Sequence, residues 1–193
     1  MLIRPAMLAD LNACLAMDAD SQTNYVWQME ERDDSGSIVV RFQTVRLPRV
    51  MRVAYPRQRD DLLSCWENGS VILVATERPF AEPDEQGPEL AVGEEPSPVY
   101  GYCQLDPSPW QGVAWINHLI VDRRFRRHSI GAALLTACIA WAKHKGLERL
   151  MGAVQTKNYP GISFCQKHGF GFCGFNEHHF PNRDIALLFV LKI

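Results

Sequence analysis

The residues best suited to chemistry lie together in residues 118–135, HLIVDRRFRRHSIGAALL. An apolar run ending at Val121 leads into a turn holding Arg123, Arg124, Arg126, Arg127 and His128, and an amphipathic run opens after Ser129. This order predicts a strand, a basic turn and a helix in direct succession. The first amides of a helix have no partner inside it, and the aligned peptide dipoles add partial positive charge there. A strand feeding such an end makes a cradle for a phosphate-bearing ligand. Ser129, Gly131 and Ala132 are small enough for a pyrophosphate to approach the backbone, and the arginines can add charge-assisted contacts. A solvated, arginine-rich helix cap fits the same residues. Neither GxxxxGK[ST] nor GxGxxG is present, so the common nucleotide-binding loops are not indicated.

Other groups invite weaker readings. His178, His179 and Asp184 could begin a metal site, but no further ligand accompanies them at a fitting spacing, so no metal is expected. Arg41, Arg46, Arg49, Arg52, Arg57 and Arg59 form either a solvated face or a surface that selects an acidic acceptor.

The elements that must position these residues can be read from periodicity and breakers. Residues 2–4 predict a short strand, 7–17 a helix, 37–46 a β-branched strand, 57–67 a helix stopped by Asn68-Gly69, and 70–76 a buried strand. Residues 79–98 hold five prolines and six acids without a lysine or arginine, which predicts a surface loop insertion, solvated or acting as a lid or docking element. Strands follow at 99–105 and 113–121, a helix at 130–145 ended by Gly146, a strand at 149–155 and a helix at 159–167. Two last strands are expected near 172–177 and 184–191. The alternation indicates an α/β sheet of mixed direction.

With 193 residues, 47% of them hydrophobic, the chain suits a single domain spanning residues 1–193. A net charge of −2 argues against general nucleic-acid binding. No apolar run is long enough for a membrane span, and the start lacks a signal-peptide core. The six cysteines, scattered without a CxxC pair, are expected to be reduced, and the chain cytoplasmic.

Leu119-x-Val121 followed by Arg126-Arg127-His128-Ser129-Ile130-Gly131 resembles the coenzyme A signature [RQ]xxGx[GA] of the GNAT acetyltransferase superfamily, with Ser129 standing at its first glycine. Downstream, residues 155–170 (QTKNYPGISFCQKHGF) are similar to that family's NxxAxxFYxxxGF element through Asn158, Ile162, Phe164, Gly169 and Phe170. The ending from Gln155 onward is similar to streptothricin-type antibiotic acetyltransferases.

The resemblance implies a mixed, mostly antiparallel sheet of about six to seven strands flanked by helices on both faces. It implies an N-acetyltransferase that carries an acetyl group from acetyl-CoA to a primary amine of a small molecule or peptide, by direct attack on the thioester. The backbone of Leu119, Ile120 and Val121 would pair with the pantetheine arm, the amides of Arg127, His128, Ser129, Ile130, Gly131 and Ala132 would hold the pyrophosphate, and Asn158 would hydrogen-bond the arm. The family's acid, a tyrosine, is replaced by Cys165, whose thiol could still protonate the leaving thiolate or could be a packing residue. Tyr159 is an alternative donor on the same helix. Family bases often stand at the positions of Trp115 and Asn117, neither of them basic, while His118 should face away by strand alternation unless a bulge redirects it. The missing tyrosine and base leave open a different class, a catalytically weak acyl-CoA-binding sensor or interaction module. A homodimer is an expectation for a compact enzyme of this size.

Overall fold

The structure, a computed structural model, describes residues 1–57, 62–77 and 98–193. In chain order its elements are β1 (Leu2–Pro5), α1 (Leu8–Ala16), β2 (Ser21–Asp34), β3 (Ser37–Val53), α2 (Leu62–Glu67), β4 (Val71–Thr76), β5 (Val99–Ser108), β6 (Val113–Val121), α3 (Ile130–His144), β7 (Arg149–Gln155), α4 (Tyr159–Lys167), β8 (Gly171–Asn176) and β9 (Ala186–Lys192). Seven strands follow the hydrogen-bonded order β1-β4-β5-β6-β7-β9-β8, and β2 and β3 form a separate two-stranded sheet. The pairs β1/β4, β4/β5, β5/β6 and β8/β9 are antiparallel, giving the mixed, mostly antiparallel α/β class the resemblance implies. The chain divides into two compact units.

The first unit holds residues 1–19, 58–150 and 193. Its core is the buried β4 and β5, with Val74, Ala75, Tyr102, Cys103 and Leu105 shielded from solvent. Helix α3 packs on these strands through Ile130, Leu134, Leu135, Cys138 and Ala142, which recur at helical spacing as the sequence predicts. Gly146, at φ 69°, supplies the left-handed residue that ends this helix. The β1–α1 corner is tied by a buried ion pair: Arg4 donates to both Asp10 oxygens at 2.6 and 3.0 Å, and the Met7 amide donates to Asp10 Oδ2 at 2.8 Å. That single carboxylate neutralises a buried cation and caps α1.

The second unit holds residues 20–57 and 151–192. Its long hairpin joins β2 to β3 through a two-residue turn in which Gly36 takes φ 99°. The register jumps between Thr23↔Met51 and Tyr25↔Arg46, so residues 47–50 bulge from β3; Pro48, which has no N–H to give a ladder, lies there. Trp27 packs against Phe42, Phe172 and Phe189, with ring centroids 6.2–6.4 Å apart.

Several expectations need correction. Strand β2 was not anticipated, although Thr23, Tyr25, Trp27 and Met29 recur at every second position, with only Val26 apolar between them. The strand expected at 37–46 extends to Val53, because β2 is long enough to pair with it across the bulge. Of the helix expected at 57–67, the described residues hold Leu62–Glu67, while Arg57 is held over the Phe180 ring (5.6 Å) and against His179 (2.9 Å) in the second unit. Arg59 and all of the 79–98 segment except Pro98 lie outside the described residues.

Because Asp10 is 4% exposed and its removal would strand the Arg4 guanidinium, Asp10→Ala should lower unfolding stability by about 3–5 kcal/mol. Denaturant titration reads this directly; a loss below about 1 kcal/mol would refute the role assigned to the pair.

Candidate active site

Strand β6 reaches its turn through one irregularity. Gln104 pairs with His118 but Leu105 pairs with Ile116, so Asn117 is an extra residue in β6. A bulge of this kind switches the parity of the strand. Trp115, expected to share a face with Leu119 and Val121, lies instead across from Asp106, on the side of His118 and Ile120. His118 and Ile120 are buried, whereas Leu119 and Val121 are half-buried. His118 therefore sits in the core of the first unit, with its ring 6.1 Å from that of Tyr102. The strand runs very close to β5: a Cβ on Gly101 would meet the Ile120 carbonyl oxygen at 2.7 Å, so only glycine fits.

Beyond Val121 the backbone makes the turn the sequence suggested. Asp122 caps it by accepting from the Arg124 amide (2.9 Å) and from the Arg124 guanidinium (3.1 and 3.0 Å). The hydrogen-bonded Arg124 side chain holds the Asp122 carboxyl below the usual carboxylate range, against the opposing effect of burial. Arg127 and Ser129 both adopt left-handed backbone, φ 70° and 61°, before α3 begins at Ile130. Two such residues close together turn successive amides toward one side, the concavity that holds anions. Left-handed backbone costs a side-chain-bearing residue about 1–2 kcal/mol, and strain of this kind gathers at functional sites.

The side chains of this turn do less than their charges suggested. Arg126 donates to the Val121 carbonyl (2.9 Å) and the Asp18 carbonyl (2.7 Å), bracing the turn from inside. Arg124 is committed to Asp122, and Arg123 lies 3.8 Å from the Asp18 carboxylate. His128 folds back, with Nδ1 2.9 Å from the Arg126 carbonyl. The backbone of residues 127–132 opens α3, with Arg127 exposed beside it.

In the second unit Asn158 is the N-cap of α4: its Oδ1 accepts from the Gly161 amide at 3.1 Å, which leaves its Nδ2 as a donor. A Cβ at position 161 would lie 2.8 Å from that Nδ2, so Gly161 makes room for the cap. Cys165 lies in the last turn of α4, and burial pushes its thiol up to about 12. This corrects the premise of a thiol with an ordinary acidity, because transfer from such a donor to a leaving thiolate runs uphill. Tyr159, in the first turn of α4, packs on Tyr25 at 5.3 Å. His178, His179 and Asp184 go to separate partners. Burial, and then the charge of Arg57 beside it, lowers the His179 pKa, while Asp184 accepts from Gln155 (2.7 Å), Asn182 (3.0 Å) and Lys157. Arg41, Arg46, Arg49 and Arg52 are exposed along β3, with Arg52 paired to Asp20 at 2.8 Å. The sequence reading missed an open groove of roughly 330 Å³ in this unit, walled by Trp27, Val45, Leu47, Met51 and Thr156; the alternation in β2 is the signal that could have found it.

A model of the acetyltransferase (GNAT) family matches residues 51–170, more than half of the chain. The chain belongs to this family, a class of enzymes that take acetyl-CoA as co-substrate. Streptothricin acetyltransferase A of Bacillus subtilis (strain 168) is 36% identical over 63 residues, which cover 33% of this chain and 36% of that protein. The match thus spans about a third of the curated relative's length. Among solved structures, a nourseothricin acetyltransferase superposes with a TM-score of 0.75 at 18% identity, over 99% of this chain and 97% of that one. A protein assigned as a streptothricin acetyltransferase from Bacillus anthracis str. Ames, solved with acetyl coenzyme A, gives 0.72 at 18%, over 100% and 98%. At these identities the structural matches establish the fold.

Since Ser129 holds a left-handed backbone that glycine adopts at little cost, Ser129→Gly should raise stability by about 1 kcal/mol and leave acetyl-CoA binding intact. A lower Tm in thermal unfolding would refute the strain argument.

Proposed function

We propose that this chain is an acetyl-CoA-dependent N-acetyltransferase whose acceptor is a primary amine on a small molecule of the streptothricin kind. The observation that carries the reading is the backbone of residues 127–132, where two left-handed residues and a helix start follow directly on β6. The acceptor class draws on the sequence match to streptothricin acetyltransferase A. The amides of residues 127–132 hold the pyrophosphate and the backbone of Leu119, Ile120 and Val121 pairs with the pantetheine arm; Asn158, at the family's arm-contacting position, keeps Nδ2 as a donor.

The neutral amine attacks the thioester carbonyl carbon, forming the C–N bond. The carbonyl oxygen takes up negative charge that backbone N–H groups stabilise, and collapse breaks the C–S bond, the electron pair leaving on sulfur. The amine's extra proton passes to solvent, and water returns one to the thiolate. Positioning of two reactants supplies about 7–11 kcal/mol of barrier lowering, so the step does not depend on a side-chain acid. His118, buried beside Tyr102, is retained in this scheme for packing. Six cysteines that form no disulfide accord with a reducing, cytoplasmic setting. No helix among the described residues is long and apolar enough to cross a membrane.

Calorimetric titration should show acetyl-CoA binding to the wild type and its loss in Gly131→Glu, which places a carboxylate at the first turn of α3. Release of free CoA thiol on adding streptothricin should follow. Binding without release across a panel of amines would instead establish an acyl-CoA-binding sensor, and no binding would remove the acetyl-CoA reading.

A general acid contributes about 10²–10⁴ in rate, so Cys165→Ala tests the premise sharply. With a thiol pushed up to about 12, the variant should keep kcat within about twofold. A hundredfold fall would restore the thiol as the acid.

A further inference from the structure

The extra residue of β6 has an unusual partner. Asn117 donates its Nδ2 to Oδ2 of Asp106 on β5, and the other oxygen of Asp106 accepts from Ser70 Oγ at 2.6 Å. All three side chains are half-buried and belong to the first unit. A carboxylate can only accept, so Asp106 dictates which way the Asn117 amide is turned. Its NH2 faces Asp106, and Oδ1 points away without a hydrogen bond among the described residues. This oxygen is not among the fully buried polar atoms, so it is open to an N–H group of a ligand while Asp106 fixes its direction.

We propose that Asn117 Oδ1 receives an N–H of the attacking amine and that Asp106 is the positioning residue that aims it. This rests on the acetyltransfer reading above and names the contact that orients the amine. Asn117 precedes Leu119 by two residues, about 6.6 Å along a strand. An amine held by its side chain therefore comes within reach of a thioester paired to the backbone at Leu119. Oδ1 takes one N–H as a hydrogen bond, keeps no proton, and leaves the nitrogen lone pair free to face the carbonyl carbon. The bulge makes this work: without the extra residue, a side chain here would fall into the regular alternation of β6.

The test is steady-state CoA release with streptothricin as the amine probe, in wild type, Asp106→Asn, Asn117→Ala and the double variant. Asp106→Asn introduces an amide that can donate as well as accept, so the Asn117 amide loses its fixed direction. Each single variant should lower kcat/KM for the amine by about tenfold or more, while KM for acetyl-CoA stays within about twofold. The double variant should fall no further than Asn117→Ala, because both changes remove one contact. A purely structural role would give additive losses, or losses that follow the fall in Tm, and would overturn the inference. Undiminished release by Asn117→Ala would also overturn it, even if Asp106→Asn failed to fold. If wild type released no CoA with any amine, the acetyltransfer reading would fall and this inference with it.

Discussion

One extra residue in β6 governs which groups of the first unit face which way. Strand side chains alternate, so a single inserted position reverses the sense of everything on one side of it. Here Asn117 is that position: Leu119 and His118 keep their pairing with Cys103 and Gln104, while Trp115 shifts to face Asp106. The insertion also takes one residue out of the ladder, and that residue is the one whose amide Asp106 can turn. Gly101 makes the arrangement feasible from the other side, since β5 passes too close to the Ile120 carbonyl to carry a Cβ. Without the bulge, Leu119 to Val121 would keep their backbone bonds, but the side chains before them would present another face.

The turn after β6 shows charge used for scaffolding. Four arginines close to a helix start suggest a cluster aimed at phosphate. Three of them instead meet Asp122, Asp18 or backbone carbonyls. These contacts hold the chain from Val121 to Arg126, just before Arg127 and Ser129 take left-handed backbone that costs each about 1–2 kcal/mol. Orienting amides through side-chain braces is effective because an amide fixed in place needs no reorganisation when an anion arrives. It also explains how a serine can occupy a position where the signature prefers glycine: the surrounding contacts hold the conformation.

The strand, turn and helix of residues 118–135 were legible because they are local. Apolar periodicity, a basic turn and small residues specify them without reference to distant parts of the chain. The apolar face of α3 was legible for the same reason. What escaped depends on pairing at long range. Arg4 and Asp10 look like ordinary surface charges until the β1–α1 corner brings them to 2.6 Å. The bulge cannot be read from β6 alone, because it is defined by the register with β5. Strand β2 is polar enough to pass as loop; only its alternation, joined to the long partner β3, makes a hairpin of it.

The departures from the family pattern follow from the kind of chemistry involved. Where a side chain carries the reaction, replacing it removes the rate; where orientation carries it, a missing acid matters less. A cysteine at the tyrosine position is a severe change for proton transfer, since burial pushes its thiol up to about 12. It matters little for a step whose leaving group departs as a stable thiolate. What the reaction then demands is a fixed thioester and a correctly directed amine, and both can be met by backbone and uncharged amide groups. In the proposed scheme these groups are the amides of residues 127–132, the main chain of β6 beyond its bulge, and the Asn117 carbonyl oxygen turned by Asp106. On the proposed reading the constraint is steric and directional: it falls on Gly101, which has no room for a Cβ, and on the hydrogen bond by which Asp106 turns the Asn117 amide.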